Sequence, residues 1–224
     1  MLQDYSVRQL NNHEYRDWLL NKHYAKRLCS VSYAFGLIDL DQNVVGVITF
    51  GCPPNRLFND GKCIFSNIKV KTMELNRLVL NSDTPKNSAS FFIMKAINKL
   101  PKPLAIVSYA DPNNHHHGYV YQATNWLYTG TSTPKYKYTF EDGSINDIRR
   151  DQDSTNMHTK FIKGNVVSKE EMLPTYRYIY IHADKRDKKN LVKDMRWDIE
   201  QYPKGLNKNY ECIDIKMKAQ LDLF

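Results

Sequence analysis

The sequence has few cysteines and no apolar run long enough to cross a bilayer. Its four cysteines, Cys29, Cys52, Cys63 and Cys212, show no C-x-x-C spacing in 224 residues. This scatter excludes a zinc ribbon or a disulfide framework and predicts free thiols in a reducing compartment. A bilayer span needs about 20 apolar residues, and the amino terminus has no hydrophobic signal segment. We therefore expect a cytoplasmic protein that does not enter a membrane.

Glycine is also scarce, with nine residues, and no internal repeat is visible, which excludes a low-complexity or repeat protein. The chain does have 42% hydrophobic residues, enough for a core, and a formal net charge of +8. A basic excess favours a polyanionic partner, because phosphate backbones bind Lys and Arg. A soluble basic protein without such a partner is the alternative.

The central feature of the chain is a short apolar run at residues 104–107 that leads to Asp111-Pro112. Such a run predicts a buried strand, and the turn formers that follow predict a loop and then a short helix over residues 119–125. Ligands of open α/β sheets bind at the carboxyl ends of strands, so Asp111 is the first candidate for a functional residue.

A second strand is predicted at residues 72–80, TMELNRLVL, after a hairpin over residues 31–39 and 44–51. Strict alternation places Glu74 and Asn76 on one face of this strand and Arg77 on the other. Because buried charge is costly unless paired, Glu74 and Arg77 either have structural partners or face a cleft.

Residues 86–90 directly precede or begin a helix predicted over residues 88–100. The free backbone N–H groups, the helix dipole and Lys86 would suit a phosphate or another anion. An equally good interpretation is that Ser88 is an ordinary helix cap.

Several motifs occur in one order along the chain: His23-Tyr24, Thr49-Phe50-Gly51, Glu74-Leu75-Asn76-Arg77-Leu78, Lys86-Asn87-Ser88-Ala89-Ser90, Ser108-Tyr109-Ala110-Asp111-Pro112 and Tyr121-Gln122-Ala123-Thr124-Asn125-Trp126. This combination resembles the phage Mom-type DNA modification proteins, which are GNAT-like. The resemblance covers about residues 20–131 well and residues 176–205 more loosely.

The resemblance implies an α/β (α+β) fold of GNAT type, with a mixed, mostly antiparallel twisted sheet flanked by helices. Residues 1–140 would form the catalytic core. Residues 141–224 would form a C-terminal extension that packs on the core and contributes to DNA binding.

The implied activity is conversion of the N6 amine of adenine in DNA to a carbamoylmethyl derivative, which protects phage DNA from restriction. The partners would be double-stranded DNA and a group donor in the host cytoplasm, and the oligomeric state is left open, a homodimer included. Two alternatives are a GNAT-like acyl- or aminoacyl-transferase for a small molecule or protein, and a DNA-binding protein without enzymatic activity.

The resemblance also implies roles for individual residues. Glu74 stands where many GNAT enzymes have a base, and Tyr121 corresponds to the tyrosine that protonates their leaving thiolate. The reaction centre would comprise Asp111, Glu74, Arg77, Tyr121, His23 and Tyr24. Donor binding would involve Lys86, Asn87, Ser88, Ala89, Ser90 and Asn125. The glycine-rich loop of typical GNATs is absent, so the donor is unknown, with acetyl-CoA and an aminoacyl-type donor as candidates.

The implied product joins nitrogen to a methylene carbon, which ordinary acyl transfer does not give. Another donor or a metal-assisted route is required, and His23, Tyr24 and Asp111 form a nitrogen and oxygen set suited to iron. The alternative is a hydrogen-bonded polar group without metal. Within His115-His116-His117, we expect His117 to be the functional residue because adjacent histidines do not all face one point.

A base within duplex DNA must be extruded before it reacts, which requires stacking surfaces and phosphate contacts. The aromatic candidates, with core packing as their alternative, are Tyr24, Tyr33, Tyr109, Tyr119 and Trp126. The cationic candidates, with solvated turns as the alternative for the last group, are Lys22, Lys26, Arg27, Arg149, Arg150, Lys185, Arg186, Lys188 and Lys189.

Overall fold

The computed structural model describes residues 2–54, 61–148 and 166–204. The described chain forms a seven-stranded sheet in the order β1-β2-β3-β4-β5-β10-β6 and a three-stranded sheet in the order β8-β7-β9. The strands are β1 Ser6–Gln9, β2 Tyr33–Ile38, β3 Val44–Gly51, β4 Thr72–Leu80, β5 Leu104–Ala110, β6 Leu127–Thr131, β7 Lys135–Phe140, β8 Ile145–Ile148, β9 Val166–Met172 and β10 Tyr176–His182. The helices are α1 Asn12–Asp17, α2 Ser88–Ile97, α3 Tyr119–Gln122 and α4 Lys185–Lys193.

Within the larger sheet only the β4–β5 pair is parallel, and the other five pairs are antiparallel. This confirms the predicted mixed, mostly antiparallel sheet flanked by helices, including the predicted hairpin β2–β3. The strand β10 belongs to the segment predicted as a C-terminal extension, yet it pairs with both β5 and β6. The sheet therefore draws strands from both sides of residue 140.

Helices cover both faces of the larger sheet. On one face, which we call the α2/α3 face, α2 and Tyr121 of α3 pack against residues that include Leu104 and Ile106 of β5. On the other, the α1/α4 face, α4 packs against Ala105 and Val107 of β5. Trp18, directly after α1, packs on this second face too. The alternation of side chains along β5 thus fills two separate cores.

The first helix continues into a π-helical turn, Trp18–Lys22, which ends directly before His23. Trp18 packs against Ala34 of β2 and Val47 of β3, while Phe35 and Ile48, their neighbours in sequence, belong to the α2/α3 face. The π turn therefore lies on the α1/α4 face. Asn11 caps α1, and its backbone N–H donates to Oε2 of Glu14 at 2.8 Å.

A β-bulge in β4 corrects the predicted alternation of its side chains. Phe50 pairs with Leu75, but Thr49 pairs with Arg77, so Asn76 is the extra residue. Leu75 packs on the α2/α3 face before the bulge, and Leu78 does so after it. Since one inserted residue reverses the phase, Glu74 and Arg77 face the same side rather than opposite sides.

Two further expectations concern the whole chain. Cys29, Cys52 and Cys63 form no disulfide bond, and Cys212 lies outside the described residues. In the described part of the chain, no helix has the length and apolar character needed to span a membrane.

Candidate active site

The candidate site lies where the parallel strands β4 and β5 separate. Their pairing covers Thr72 to Glu74 on β4 and ends at Val107 on β5. Beyond this point the Ser108 hydroxyl bridges the strands, with Oγ 2.8 Å from the Leu75 carbonyl oxygen. The same Oγ lies 2.7 Å from the hydroxyl of Tyr121 on α3. Since Ser108 has one proton, it donates to only one of these oxygens at a time.

Tyr121 is buried and stays a neutral phenol at physiological pH. Burial raises the pKa of Tyr121 to about 12, while the Ser108 hydroxyl acts in the opposite direction. Its ring packs against Trp126, with centroids 4.9 Å apart, and against Tyr178 at 5.1 Å. When Ser108 donates to Leu75, the Tyr121 proton is held by Ser108. When Ser108 donates to Tyr121, that proton is available to another acceptor.

An aromatic stack borders this point. The ring of Tyr24 lies 4.3 Å from that of His23 and 5.6 Å from that of His116, measured between centroids. His23 and Tyr24 follow the π turn, and His116 follows β5, so two distant segments meet here. Tyr24 is 56% exposed, so part of the residue is in contact with solvent.

The three members of this stack are neutral near pH 7. Burial lowers the pKa of His23 to about 4, and the Arg77 guanidinium acts in the same direction. Partial burial raises the pKa of Tyr24, and the nearby Asp111 carboxylate raises it further. Partial burial also lowers the pKa of His116, an effect that Asp111 opposes.

The predicted iron site is not supported by this geometry. Among residues 2–54, 61–148 and 166–204, no group of three or more His, Cys, Asp and Glu is arranged to hold a metal. In addition, the backbone N–H of Ala25 donates to Nδ1 of His23 at 3.0 Å. A neutral imidazole that binds metal through Nε2 carries its proton on Nδ1, and here Nδ1 is an acceptor. The set His23, Tyr24 and Asp111 therefore does not fit iron in this arrangement.

Asp111 shapes the loop that follows β5. Its Oδ1 accepts from the backbone N–H of Asn113 at 3.0 Å and from Nδ2 of Asn113 at 2.8 Å. Its Oδ2 accepts from Nδ2 of Asn114 at 3.2 Å. Asn113 in turn exchanges two hydrogen bonds with the backbone of Leu173, just after β9. The carboxylate is thus held rigidly, with part of its capacity of about four bonds still open.

Glu74 and Arg77 lie near Cys29, on the α1/α4 side of the divergence. Burial raises the pKa of the Cys29 thiol, Arg77 lowers it, and Glu74 raises it. Nη1 of Arg77 donates to the carbonyl of Asn76 at 2.6 Å. Its Nε is buried and has no hydrogen-bond partner in the described chain. Carboxylate, guanidinium and thiol therefore share one side of the cleft.

The start of α2 differs in part from both interpretations of the sequence. Asn87, not Ser88, occupies the cap position, with left-handed backbone at φ 70°. Ser88 is buried, and its hydroxyl donates to the carbonyl of Pro85 at 2.7 Å. Ser90 donates to the carbonyl of Asn87 at 2.9 Å. Ser88 therefore fixes the preceding turn. The assignment of donor binding to residues 86–90 stays a prediction.

The remaining candidates for base stacking, donor binding and phosphate contact differ in their exposure. Trp126 is fully buried, which confirms core packing for this residue, and Asn125 is an exposed left-handed residue that ends α3. Tyr119 is 38% exposed. Lys22, Lys26 and Arg27 lie beside His23 and Tyr24 in sequence and are exposed. Arg149 and Arg150 lie outside the described residues.

The functional role expected for His117 stays a prediction. His116, not His117, joins the stack with Tyr24. The ring of His117 instead lies 5.9 Å from that of Tyr176. The left-handed backbone of His115, with φ 58°, turns the chain so that its two successors diverge. Sequence reasoning also missed Ser108 and Cys29 as site residues. Only the polarity of Ser108, next to a wholly apolar run, could have drawn attention to it.

The sheet order, with its single parallel pair that diverges beside a cluster of polar residues, defines a GNAT-like fold. A model of the Mom protein family matches residues 4–204, and the chain therefore belongs to that family. It is 28% identical over 202 residues to the methylcarbamoylase Mom of Escherichia phage Mu, across 84% of this chain and 79% of that protein.

Solved structures with similar folds are acetyltransferases of low identity. Ribosomal-protein-S5-alanine acetyltransferase from Vibrio fischeri is 12% identical with a TM-score of 0.45, covering 81% of this chain and 94% of that one. Spermidine N-acetyltransferase from Vibrio cholerae, solved with CoA and spermine, is 11% identical with a TM-score of 0.46, covering 80% and 96%.

Proposed function

We propose that this protein is a DNA modification enzyme that converts the N6 amine of adenine in DNA to a carbamoylmethyl derivative and so protects phage DNA from restriction. The observation that carries the proposal is the match of the Mom family to residues 4–204, which include every residue of the candidate site. The net charge of +8 supports a DNA substrate. The host cytoplasm is the compartment in which such an enzyme would meet phage DNA.

The aromatic stack supports binding of an extruded base. A flipped adenine needs a flat partner, and the partly exposed ring of Tyr24 would supply one next to Asp111. The open acceptor capacity of the Asp111 carboxylate suits a hydrogen bond from the N6 amine. Its existing bonds to Asn113 and Asn114 would hold it in position for that contact.

The proposed chemistry requires two proton movements. The step requires a donor whose carbamoylmethyl group carries a leaving group on its methylene carbon. N6 forms a bond to that carbon and loses a proton, and the leaving group departs with the electron pair of the bond that it had to the same carbon. We assign the base to Glu74, with Arg77 on the same side of the cleft to stabilise developing negative charge. The buried neutral Tyr121 would supply a proton to the leaving group, with Ser108 as its hydrogen-bond partner.

We assign donor binding to the start of α2 and to Asn125. The residues at the start of α2 are Lys86, Asn87, Ser88, Ala89 and Ser90. Free N–H groups at a helix start and a lysine suit an anionic donor. Acetyl-CoA and an aminoacyl-type donor both carry phosphate, but both react at the carbonyl carbon, so they suit the alternative acyl- or aminoacyl-transfer reaction.

The test is mass spectrometry of nucleosides from DNA of cells that express the protein or its Asp111→Asn variant. Asn keeps one acceptor oxygen for the Asn113 backbone N–H and removes the charge, while the bond from Nδ2 of Asn114 is lost. We expect a new adenine derivative with the intact protein and at least about a hundredfold less with the variant. Its mass would identify the transferred group.

Tyr121→Phe provides a second test that preserves ring packing. We expect modification to fall at least about tenfold, while Tyr180→Phe, which alters another ring packed on Trp126, leaves it unchanged. Unmodified DNA from cells with the intact protein would instead favour a transferase for a small molecule or protein. Equal biological protection by the Asp111→Asn variant would favour a DNA-binding protein without activity.

A further inference from the structure

We propose that one DNA duplex lies across the α1/α4 face of the sheet and contacts two separate basic groups, one at the site and one on α4. This inference rests on the proposed function and names the surface that holds its substrate. The first group is Lys22, Lys26 and Arg27, after the π turn. The second group comprises Lys185, Arg186, Lys189 and Lys193 on α4 together with Lys69, Lys71 and Lys102.

The two groups lie at opposite ends of β5. Lys22 donates to Oδ1 of Asn81 at 3.1 Å, directly after the carboxyl end of β4. Since β4 and β5 are parallel, this is also the end of the sheet at which Asp111 lies. The start of α4 is at the other end, because His182 pairs with Leu104, the first residue of β5.

Both groups belong to elements on the same face. The π turn packs through Trp18 against Ala34 and Val47, and α4 packs through Leu191 against Ala105 and Val107. These strand residues all alternate with members of the core on the α2/α3 face. A rod laid over the α1/α4 face would therefore meet both groups.

The separation matches a short stretch of duplex. From Leu104 to Asp111 the strand advances about 23 Å at about 3.3 Å per residue. In B-DNA this distance corresponds to about 7 base pairs. With a base extruded beside Tyr24, the phosphates about 7 base pairs away on one side would thus lie within reach of α4.

The cations of the second group are largely unneutralised within the described chain. Lys102 pairs with Asp184 at 3.1 Å, the one ion pair that this group makes in the described residues. The Asp194 carboxylate, at the end of α4, accepts from the backbone N–H groups of Asn67 and Ile68. Lys185 and Lys189 are exposed and four residues apart, so they project from one side of α4.

The experiment compares two double variants with the same change in charge. Lys185→Gln/Lys189→Gln removes two cations from the proposed DNA surface, and Lys95→Gln/Lys99→Gln removes two exposed cations from the end of α2 on the opposite face. Affinity for a 20-base-pair duplex, a length chosen from the footprint of about 7 base pairs, is measured by fluorescence anisotropy from low to moderate salt.

We expect the α4 variant to lower the slope of log Kd against log salt concentration by about 1.8, because each lost phosphate contact removes about 0.9. The α2 variant should leave the slope unchanged. An equal decrease in both variants would show a general effect of net charge and overturn the inference, as would no change in either. Nucleoside analysis of the same variants separates the two hypotheses. If DNA is modified in an Asp111-dependent manner but the α4 variant has an unchanged salt slope, the proposed DNA surface is wrong and the proposed function stands.

Discussion

Burial and the Arg77 guanidinium keep His23 neutral, because they lower its pKa to about 4. In the unfolded chain its pKa returns to about 6.5. Between pH 6.5 and 4 the unfolded state therefore binds more protons than the folded state, and the stability associated with His23 is lost as the pH falls through this window. Relative to His23→Asn, we expect the wild type to lose up to about 2 kcal/mol on going from pH 7.5 to 4.5. Urea unfolding of both proteins at the two pH values measures this.

Asn is the matched replacement because its Oδ1 can accept the Ala25 N–H in place of Nδ1. Other buried groups, such as His182, whose pKa burial also lowers, titrate equally in both proteins and cancel. Parallel loss of stability in the two proteins would show that His23 is protonated without cost, and the neutral stack with Tyr24 would then be wrong.

Individual residues also show where sequence reasoning succeeds. The position of Asp111 was predictable because a strongly apolar run followed by Asp-Pro marks the end of a buried strand. Which of His116 and His117 lies beside Tyr24 was not predictable, because it depends on the left-handed backbone at His115. Histidine is enriched in that conformation, but three consecutive histidines do not indicate which of them adopts it. The stack with Tyr24 also joins segments about 90 residues apart, which no local pattern encodes.

Strand β4 was predicted with its correct boundaries, but the faces on which its side chains lie were not predicted correctly after the bulge. The bulge at Asn76 arises from contacts distant in sequence: Asn76 accepts from the Thr49 hydroxyl at 2.6 Å and donates to the Ser30 carbonyl at 2.7 Å. Period-two alternation assumes an unbroken ladder, so it assigned Glu74 and Arg77 to opposite faces. This single inserted residue brings the carboxylate and the guanidinium to one side of the cleft.

The end of β3 makes this arrangement dependent on glycine. A Cβ on Gly51 would lie 1.8 Å from the Ser30 carbonyl oxygen, and backbone must then move. We expect Gly51→Ala to destabilise the protein by about 1–3 kcal/mol in urea unfolding and to increase alkylation of Cys29, which precedes Ser30. Gly36→Ala is the control, since its Cβ would meet only movable side-chain ends of Leu10 and Ile38. Equal stability of the two variants would contradict the close approach of Ser30.

For the molecule as a whole, the two proposed substrates approach the separation of β4 and β5 from different faces. The DNA surface lies on the α1/α4 face, whereas α2, at whose start the donor is assigned, packs on the other face with Tyr121. The two substrates could then be bound together without competing for the same side chains. This arrangement predicts that donor binding and DNA binding can be weakened separately.

Ser90→Asp tests that separation at the start of α2. A carboxylate in the first turn interacts favourably with the helix dipole and should stabilise the fold by about 0.5 kcal/mol. The same charge should repel an anionic donor, so we expect modification to fall at least about tenfold while DNA affinity in anisotropy stays unchanged. Ser90→Ala, which removes only the bond to the Asn87 carbonyl, should retain most activity. If Ser90→Asp modified DNA as well as the wild type, the donor would have to bind elsewhere, because no anion would tolerate a carboxylate at that helix start.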